Sequence, residues 1–329
     1  MASGNLVDLT VRSESVQQAY ALYRADRFRV NRRYQRKLVW SVEEKQRLID
    51  SMVLDLPLPL FLVAEIGSSP DSPFELIDGM QRLNAIFSFI EQEFSLNGKF
   101  FDLQTLADTK ALLDAGSLQQ KQPLLDRATS VNFANYSLAL SVFRASDQSA
   151  VDEVFRRINS GGRRLSRHEL RQAGTVSGLA NLVRRIASII RTDTTPGDTV
   201  SLSKMPLLSI SNRNLDYGVI VDDIFWVREG ILRRDDVRES LDEQNILDIL
   251  IDCLVEPMTT TSNDNRDKYY NFIDSETGLT AESASVETAI ETYGAEEIQK
   301  RFLALRHEAG VGAVRQGLWP PAASRIRSR

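Results

Sequence analysis

The sequence predicts an α+β fold in two parts, an α+β lobe over residues 1–145 and an α-helical lobe over residues 146–329. Three observations predict it. Short apolar runs suited to strands, Leu60–Ala64, Phe74–Ile77 and Ser137–Phe143, fall in the first half of the chain. Stretches with helical periodicity lie between them, so strands and helices share one lobe. From about Ser146 onward, apolar residues recur at helical spacing almost without interruption.

Each element has a local reason. Residues 12–26 read as a helix, with Val16, Ala19, Tyr20 and Tyr23 at helical spacing. Phe28-Arg29-Val30 reads as a short strand. Ser41 followed by Glu44 is a capping-box signature, and Leu48, Ile49, Met52 and Val53 form the apolar stripe of the helix it opens. Pro57 and Pro59 end that helix. Leu60–Ala64 is a buried strand, Gly67 to Pro73 a loop, and Phe74–Ile77 the next strand. The helix opened at Asp78 turns Leu83, Ile86, Phe87 and Ile90 inward. Phe94 to Phe101, around Asn97-Gly98, reads as a hairpin.

In the helical lobe, Ser166 and Glu169 form a second capping box. Leu179, Leu182, Val183, Ile186, Ile189 and Ile190 make one apolar face, and 192–199 is a linker around Pro196-Gly197. Further helices are expected near 215–230, 241–255, 264–274 and 282–309. Trp319-Pro320-Pro321 and the closing arginines read as a loose tail.

Composition excludes several classes. Hydrophobic residues at 42% and charged residues at 26% fit a globular chain with an ordinary core. No apolar run reaches the ~18 residues of a membrane span. Met1-Ala2-Ser3-Gly4-Asn5 lacks a basic-then-apolar leader pattern, so a cytoplasmic protein with no membrane partner is expected. Cys253 stands alone, which removes a disulfide framework or a cysteine metal site. His168 and His307 are the only histidines, too few for a histidine-metal nuclease. A net charge of −5 argues against a general nucleic-acid coat. Locally, however, Arg24, Arg27, Arg29, Arg32, Arg33, Arg36 and Lys37 crowd one segment, and Arg156, Arg157, Arg163, Arg164, Arg167 and Arg171 another. These segments form either a basic face for phosphates or solvated helix faces.

The stretch Glu75 to Asn84, ELIDGMQRLN, joins a strand, an acid–glycine turn and a helix start. Unpaired N–H groups at such a start suit an anion, Gly79 permits close approach, and Arg82 is a forked phosphate donor. Plainer roles compete: Asp78 as cap, Gly79 as turn residue and Arg82 as a solvated side chain. Upstream lies Arg33-Tyr34-Gln35-Arg36-Lys37-Leu38-Val39-Trp40. Its aromatic and basic side chains can stack a base or grip a phosphate, or pack as a strand end with Trp40 structural. Downstream lies Phe155-Arg156-Arg157-Ile158-Asn159-Ser160-Gly161-Gly162-Arg163-Arg164-Leu165.

These three stations, in this order, resemble the N-terminal domain family of GmrSD-type restriction enzymes, also called domain of unknown function 262. That family has a YQR-x-x-x-W element, a DGQQRL element and an F-x-x-x-N-x-x-G-x-x-L element. The resemblance spans roughly residues 25–175. It implies a ParB-like first lobe that binds, and in several members hydrolyses, a nucleoside triphosphate with Mg2+. Members act in phage defence, often sensing modified DNA and controlling a nuclease. Carried over, it implies Asp78, Gln81 and Arg82 as the catalytic group, with Asp78 also holding Mg2+. Tyr34, Gln35, Arg36, Gly79, Asn84, Asn159 and Gly162 would then bind the nucleotide. Met80 replaces the family's first glutamine and Asn84 its threonine. A thioether makes no strong hydrogen bond, so slow hydrolysis is expected, and Met80→Gln is expected to speed it.

The family's HNH-type nuclease domain has no counterpart here, so the expected partner is a separately encoded nuclease or toxin subunit, with DNA as a further ligand and a homo-oligomer compatible. Two other readings stand beside this one. The chain is a non-catalytic, nucleotide-gated regulator or DNA sensor restraining a partner toxin. Or Arg163 and His168, with the Arg-x-x-x-x-His spacing of HEPN ribonucleases, and Arg301 with His307, cleave RNA. Glu43 and Lys45 mimic part of an ExK nuclease triplet, in a first helical turn where acids are favoured anyway.

Overall fold

The computed structural model describes residues 9–33, 37–67, 72–145, 147–148, 150–151, 154–155, 167–172, 177–193, 197–210, 218–255, 261–270 and 280–308. The chain divides into two compact units, 1–155 with 197–218, and 156–196 with 219–329. The α+β class expected from the sequence is the class observed.

The first unit is built on a six-stranded mixed sheet. Its strands are β1 (Leu9–Ser15), β2 (Phe28–Asn31), β3 (Phe61–Ile66), β4 (Phe74–Asp78), β5 (Ser137–Ala145) and β6 (Thr199–Ser201), in the order β1-β5-β3-β4-β2-β6. The pairs β2–β4 and β3–β5 are parallel and the others antiparallel. Because β2 and β4 run the same way, the chain leaves both at one edge of the sheet. Arg32 follows one strand there and Gly79 the other.

Side chains alternate across a strand, and here the alternation sorts the core. Phe28, Val30, Phe74, Leu76, Leu138, Leu140 and Val142 join one buried cluster. That cluster includes residues of α1 (Val16–Arg24), α2 (Val42–Val53), α3 (Met80–Ile90) and α5 (Arg127–Asn135). Its centre is aromatic: Tyr23 stacks on Phe87 at 4.4 Å between ring centroids, and Phe89 meets Phe133 edge-on at 5.4 Å. The intervening Asn31, Glu75, Ile77, Ser141 and Phe143 are buried as well, on the other face. The caps work as their spacing predicts. The Ser41 side chain receives the Glu44 N–H while the Glu44 carboxylate receives the Ser41 N–H at 2.8 Å. A two-residue turn at Asn97-Gly98, both at positive φ, joins Leu96 to Lys99.

Some expectations need correction. Residues 12–15 belong to strand β1, and the helix starts only at Val16, behind a capping box of Ser15 and Gln18. The short strand β6 was not read, nor were α4 (Ala107–Asp114) and α5, whose amphipathicity is slight. In the second unit, α6 (Arg167–Gln172), α7 (Gly178–Ile190), α8 (Phe225–Arg228), α9 (Arg234–Arg238), α10 (Leu241–Leu254), α11 (Asn263–Tyr270), α12 (Ala281–Tyr293) and α13 (Ala295–Glu308) are helical. The apolar face of α7 is as read except Ile189, which is exposed. The expected long helix near 282–309 is broken at Gly294, at φ 79°. Ser166 and the tail beyond 308 lie outside the described residues. Among the described residues no helix is long and apolar enough to cross a membrane.

Candidate functional site

The β4–α3 junction is where strand, turn and helix meet as the sequence implied. Gly79 is the N-cap of α3, at φ 102°, and no side chain caps the helix. Asp78 therefore does not take the capping role. The first helical bond runs from the Leu83 N–H to the Gly79 carbonyl at 2.9 Å, so the N–H groups of residues 80–82 precede the ladder. Gly79 is required for a second reason: an added Cβ would lie 2.4 Å from Phe61 Cδ1.

Arg82 is not a solvated side chain either. Its guanidinium donates to Asp78 Oδ2 at 2.8 Å, to the Leu60 carbonyl at 3.1 Å and to the Pro59 carbonyl. It also lies 4.5 Å from the Phe61 ring centroid. Its side chain is 11% exposed, against 55% for Asp78. Burial pulls the Arg82 pKa down, and the Asp78 carboxylate opposes that shift. Arg82 thus ties the start of β3 to the first turn of α3. Asp78 turns its other oxygen to solvent.

Gln81 is equally committed. Its Oε1 accepts the Val39 N–H at 3.1 Å and the Trp40 N–H at 3.4 Å, while its Nε2 donates to the Lys37 carbonyl at 3.0 Å. One amide therefore sews the tail of the first motif onto the second. Trp40 is half-buried against the core. Met80 lies inside the core at 5% exposure, which takes it away from any ligand. Asn84 is 4% exposed, and its Oδ1 has no hydrogen-bond partner among the described residues.

Tyr34, Gln35, Arg36, Asn159 and Gly162 lie outside the described residues. Phe155, which opens the third motif, is described and fully buried. The structure thus brings Asp78, Gly79, Gln81, Arg82 and Asn84 together with the 37–40 segment. Among the described residues no three His, Cys, Asp or Glu side chains gather as a metal site. Asp78 would be a lone protein ligand, which suits Mg2+, an ion commonly held by one or two carboxylates plus substrate phosphates.

Several buried polar groups were not singled out as site residues. Glu75 accepts hydrogen bonds from Asn31 and Gln148, and burial pushes its carboxyl pKa up. Lys45 is buried and donates to Glu93 at 2.6 Å and Ser88 at 3.3 Å. Glu43, two residues earlier, is exposed, so the two do not form a nuclease triplet. In the second unit, His168 is buried with Nε2 3.3 Å from Glu243 Oε2, while Arg191 pairs with Asp242 at 2.7 Å and with Glu243 at 2.9 Å. A histidine enclosed in that way cannot meet an RNA phosphate, which counts against the ribonuclease reading; Arg163 lies outside the described residues. No spacing in the sequence signals these groups, because their partners are far apart along the chain.

No curated protein matches this chain. Residues 20–175 match the family model described as the GmrSD restriction endonuclease, N-terminal domain, and that stretch contains the β4–α3 junction and its clamps. Over this stretch the chain is similar to the GmrSD restriction endonuclease N-terminal domain family.

Proposed function

We propose that the first unit binds a nucleoside triphosphate with Mg2+ at the β4–α3 junction. The chain would be a nucleotide-binding, NTP-hydrolysing subunit of an anti-phage or modification-dependent restriction system, controlling a nuclease on another polypeptide. The observation that carries this reading is the open start of α3: an uncapped helix begins at Gly79, beside an exposed carboxylate, at the edge where β2 and β4 both end. The leading N–H groups and the helix dipole attract phosphate. Asp78 supplies an oxygen for Mg2+. Arg33, which follows β2, is partly exposed and paired to Asp198 at 3.2 Å, so it can exchange that carboxylate for a phosphate.

One observation favours the non-hydrolysing, nucleotide-gated regulator as a second reading. The Gln81 amide is used at both ends by backbone groups, so it is not available to orient a water. Calorimetric titration of the purified chain with ATP, GTP, CTP and UTP, each with Mg2+, tests the binding. One triphosphate is expected to bind, with Asp78→Ala abolishing the Mg2+-dependent part. Absence of binding by all of them overturns the proposal. Phosphate release by the wild type then separates the hydrolase from the regulator.

A further inference from the structure

Glu75 stands on β4, three residues before Asp78, and its side chain reaches into two other segments. It is 4% exposed. Its Oε1 accepts from Asn31 Nδ2 at 3.2 Å and from Gln148 Nε2 at 3.1 Å. Asn31 is the last residue of β2, and its Oδ1 accepts the Arg33 N–H at 3.0 Å. Through Asn31, Glu75 therefore holds the opening of the segment that carries the first motif. Gln148 lies seven residues before the buried Phe155, the first residue of the third motif. One carboxylate oxygen thus joins the strand behind the second motif to the approaches of the first and third.

An acid at this place is costly, because a buried carboxylate loses its hydration. A leucine would fill the same sheet position without that loss. What an apolar residue cannot do is accept two amide hydrogen bonds from different segments at once. Such bonds are directional and fail if either segment shifts by an ångström or two, so they fix relative position in a way that apolar packing does not. Gln81 performs a similar service between the first two motifs, and Glu75 also reaches Gln148, upstream of the third.

We propose that Glu75 is a positioning residue for the triphosphate site. It sets the segment after β2 and the segment at Gln148 in register with the β4–α3 junction, so that the ligand site of the first unit is held in one arrangement. This rests on the nucleotide reading given above. Glutamine at position 75 retains a carbonyl oxygen that can accept both bonds, whereas alanine removes them.

Two measurements on the full chain test it. In titrations with the triphosphate that the wild type binds, Glu75→Ala is expected to weaken affinity by about 10–100-fold, about what losing one hydrogen bond to a charged acceptor costs. Glu75→Gln is expected to stay within about threefold of wild type on the same scale. Near-ultraviolet circular dichroism at the titration temperature checks that both variants are folded. A residue that only stabilises the fold would lower the melting temperature yet leave the affinity of the folded protein unchanged, and that result overturns the proposal. So does equal weakening by both substitutions. Amide hydrogen exchange without nucleotide is the second arm. Glu75→Ala should speed exchange in peptides from 31–40 and from 148–155 together, and Glu75→Gln should not. If the wild type binds none of ATP, GTP, CTP or UTP, the nucleotide reading fails, and the exchange arm alone decides whether Glu75 joins the segments. Unchanged exchange in both peptides overturns it.

Discussion

Replacing Gly79 by alanine tests whether the turn before α3 is built for close approach. Two separate penalties follow from the structure. Gly79 has φ 102°, and holding a residue with a Cβ at positive φ costs about 1–2 kcal/mol. The added Cβ would then lie 2.4 Å from Phe61 Cδ1 and 3.1 Å from Cε1, well inside the ~3.5–4.0 Å of carbon–carbon contact. Phe61 cannot yield freely: its ring is buried on β3 and lies under the Arg82 guanidinium, which is itself bonded to the Pro59 and Leu60 carbonyls. Overpacking of this kind costs about 1–3 kcal/mol. The total expected for Gly79→Ala is therefore about 2–5 kcal/mol. Urea unfolding of the wild type, Gly79→Ala, Phe61→Leu and the double variant, followed by circular dichroism, separates the penalties. In the Phe61→Leu background the clash should largely vanish and Gly79→Ala should cost only about 1–2 kcal/mol. A cost below about 0.5 kcal/mol in the wild-type background, the usual size of an inconsequential substitution, would refute the reasoning. An equal cost in both backgrounds would leave the backbone term standing and sink the steric one.

Gln81→Ala removes three hydrogen bonds from half-buried backbone groups, for an expected loss of about 1.5–4 kcal/mol, and the Val39 and Trp40 amides should exchange faster by NMR; unchanged protection of both amides would show that the clamp is idle. Lys45→Met leaves Glu93 without its buried cation, and urea unfolding should show a loss of about 3–5 kcal/mol. A neutral result there would mean that Glu93 is satisfied elsewhere. Met80→Gln places an amide in the core, so the expected outcome is a lower melting temperature, replacing the faster turnover that the motif alone suggested. Glu75 gives a pH prediction. Burial raises its folded-state pKa above the ordinary 4.5, so the stability it contributes is complete below that value and is lost as pH rises through the raised pKa. The unfolding free energy of wild type relative to Glu75→Gln should therefore fall from about pH 4.5 upward, and a difference that is flat from pH 4 to 7 would contradict it.

Much of the first unit was legible in the sequence because its signals are local. Ser41 with Glu44, Asn97 with Gly98 and the run Phe74–Ile77 each carry their own instructions within a few residues. Strand β1 was misread because none of residues 9–15 is fully buried and the apolar alternation stops at Leu9 and Val11, so residues 12–15 carry no strand pattern to detect. The stronger helical pattern from Val16 then ran backward over it. Strand β6 is three residues long and is defined only by its partner, Asn31 pairing with Thr199 and Val30 with Val200. No local pattern can announce such a strand. The site divides in the same way. The turn at Asp78-Gly79 could be read from residue types, but the bonding of Gln81 to Lys37, Val39 and Trp40 depends on a fold-level approach across more than forty residues. Neither the Glu75–Asn31–Gln148 contacts nor the Lys45–Glu93 pair has a fixed spacing to recognise.

The motif from Asp78 to Leu83 invites the inference that each of its polar residues acts on a ligand, and the geometry argues for a different division of labour. Gly79 exists to let Phe61 come close, Met80 and Leu83 are core, Gln81 holds the first motif, and Arg82 holds the start of β3. All of these would be demanded by the fold in the absence of any reaction. What remains turned outward is the Asp78 carboxylate and the leading N–H groups of α3. Arg82 is the informative intermediate. An anion arriving at the helix start would compete for a guanidinium already shared between Asp78 and two carbonyls, and it would win only by supplying more charge than those partners do. A triphosphate does so, and Mg2+ on Asp78 would weaken the competing carboxylate at the same moment. Under the proposed function, the pair Asp78 and Arg82 would act as a latch set by the fold and released by ligand and metal together, not as a preformed catalytic dyad. Its opening would loosen the Pro59-Leu60 end of β3 without disturbing Gln81, which confines the change to one side of α3 and leaves the first motif held in place.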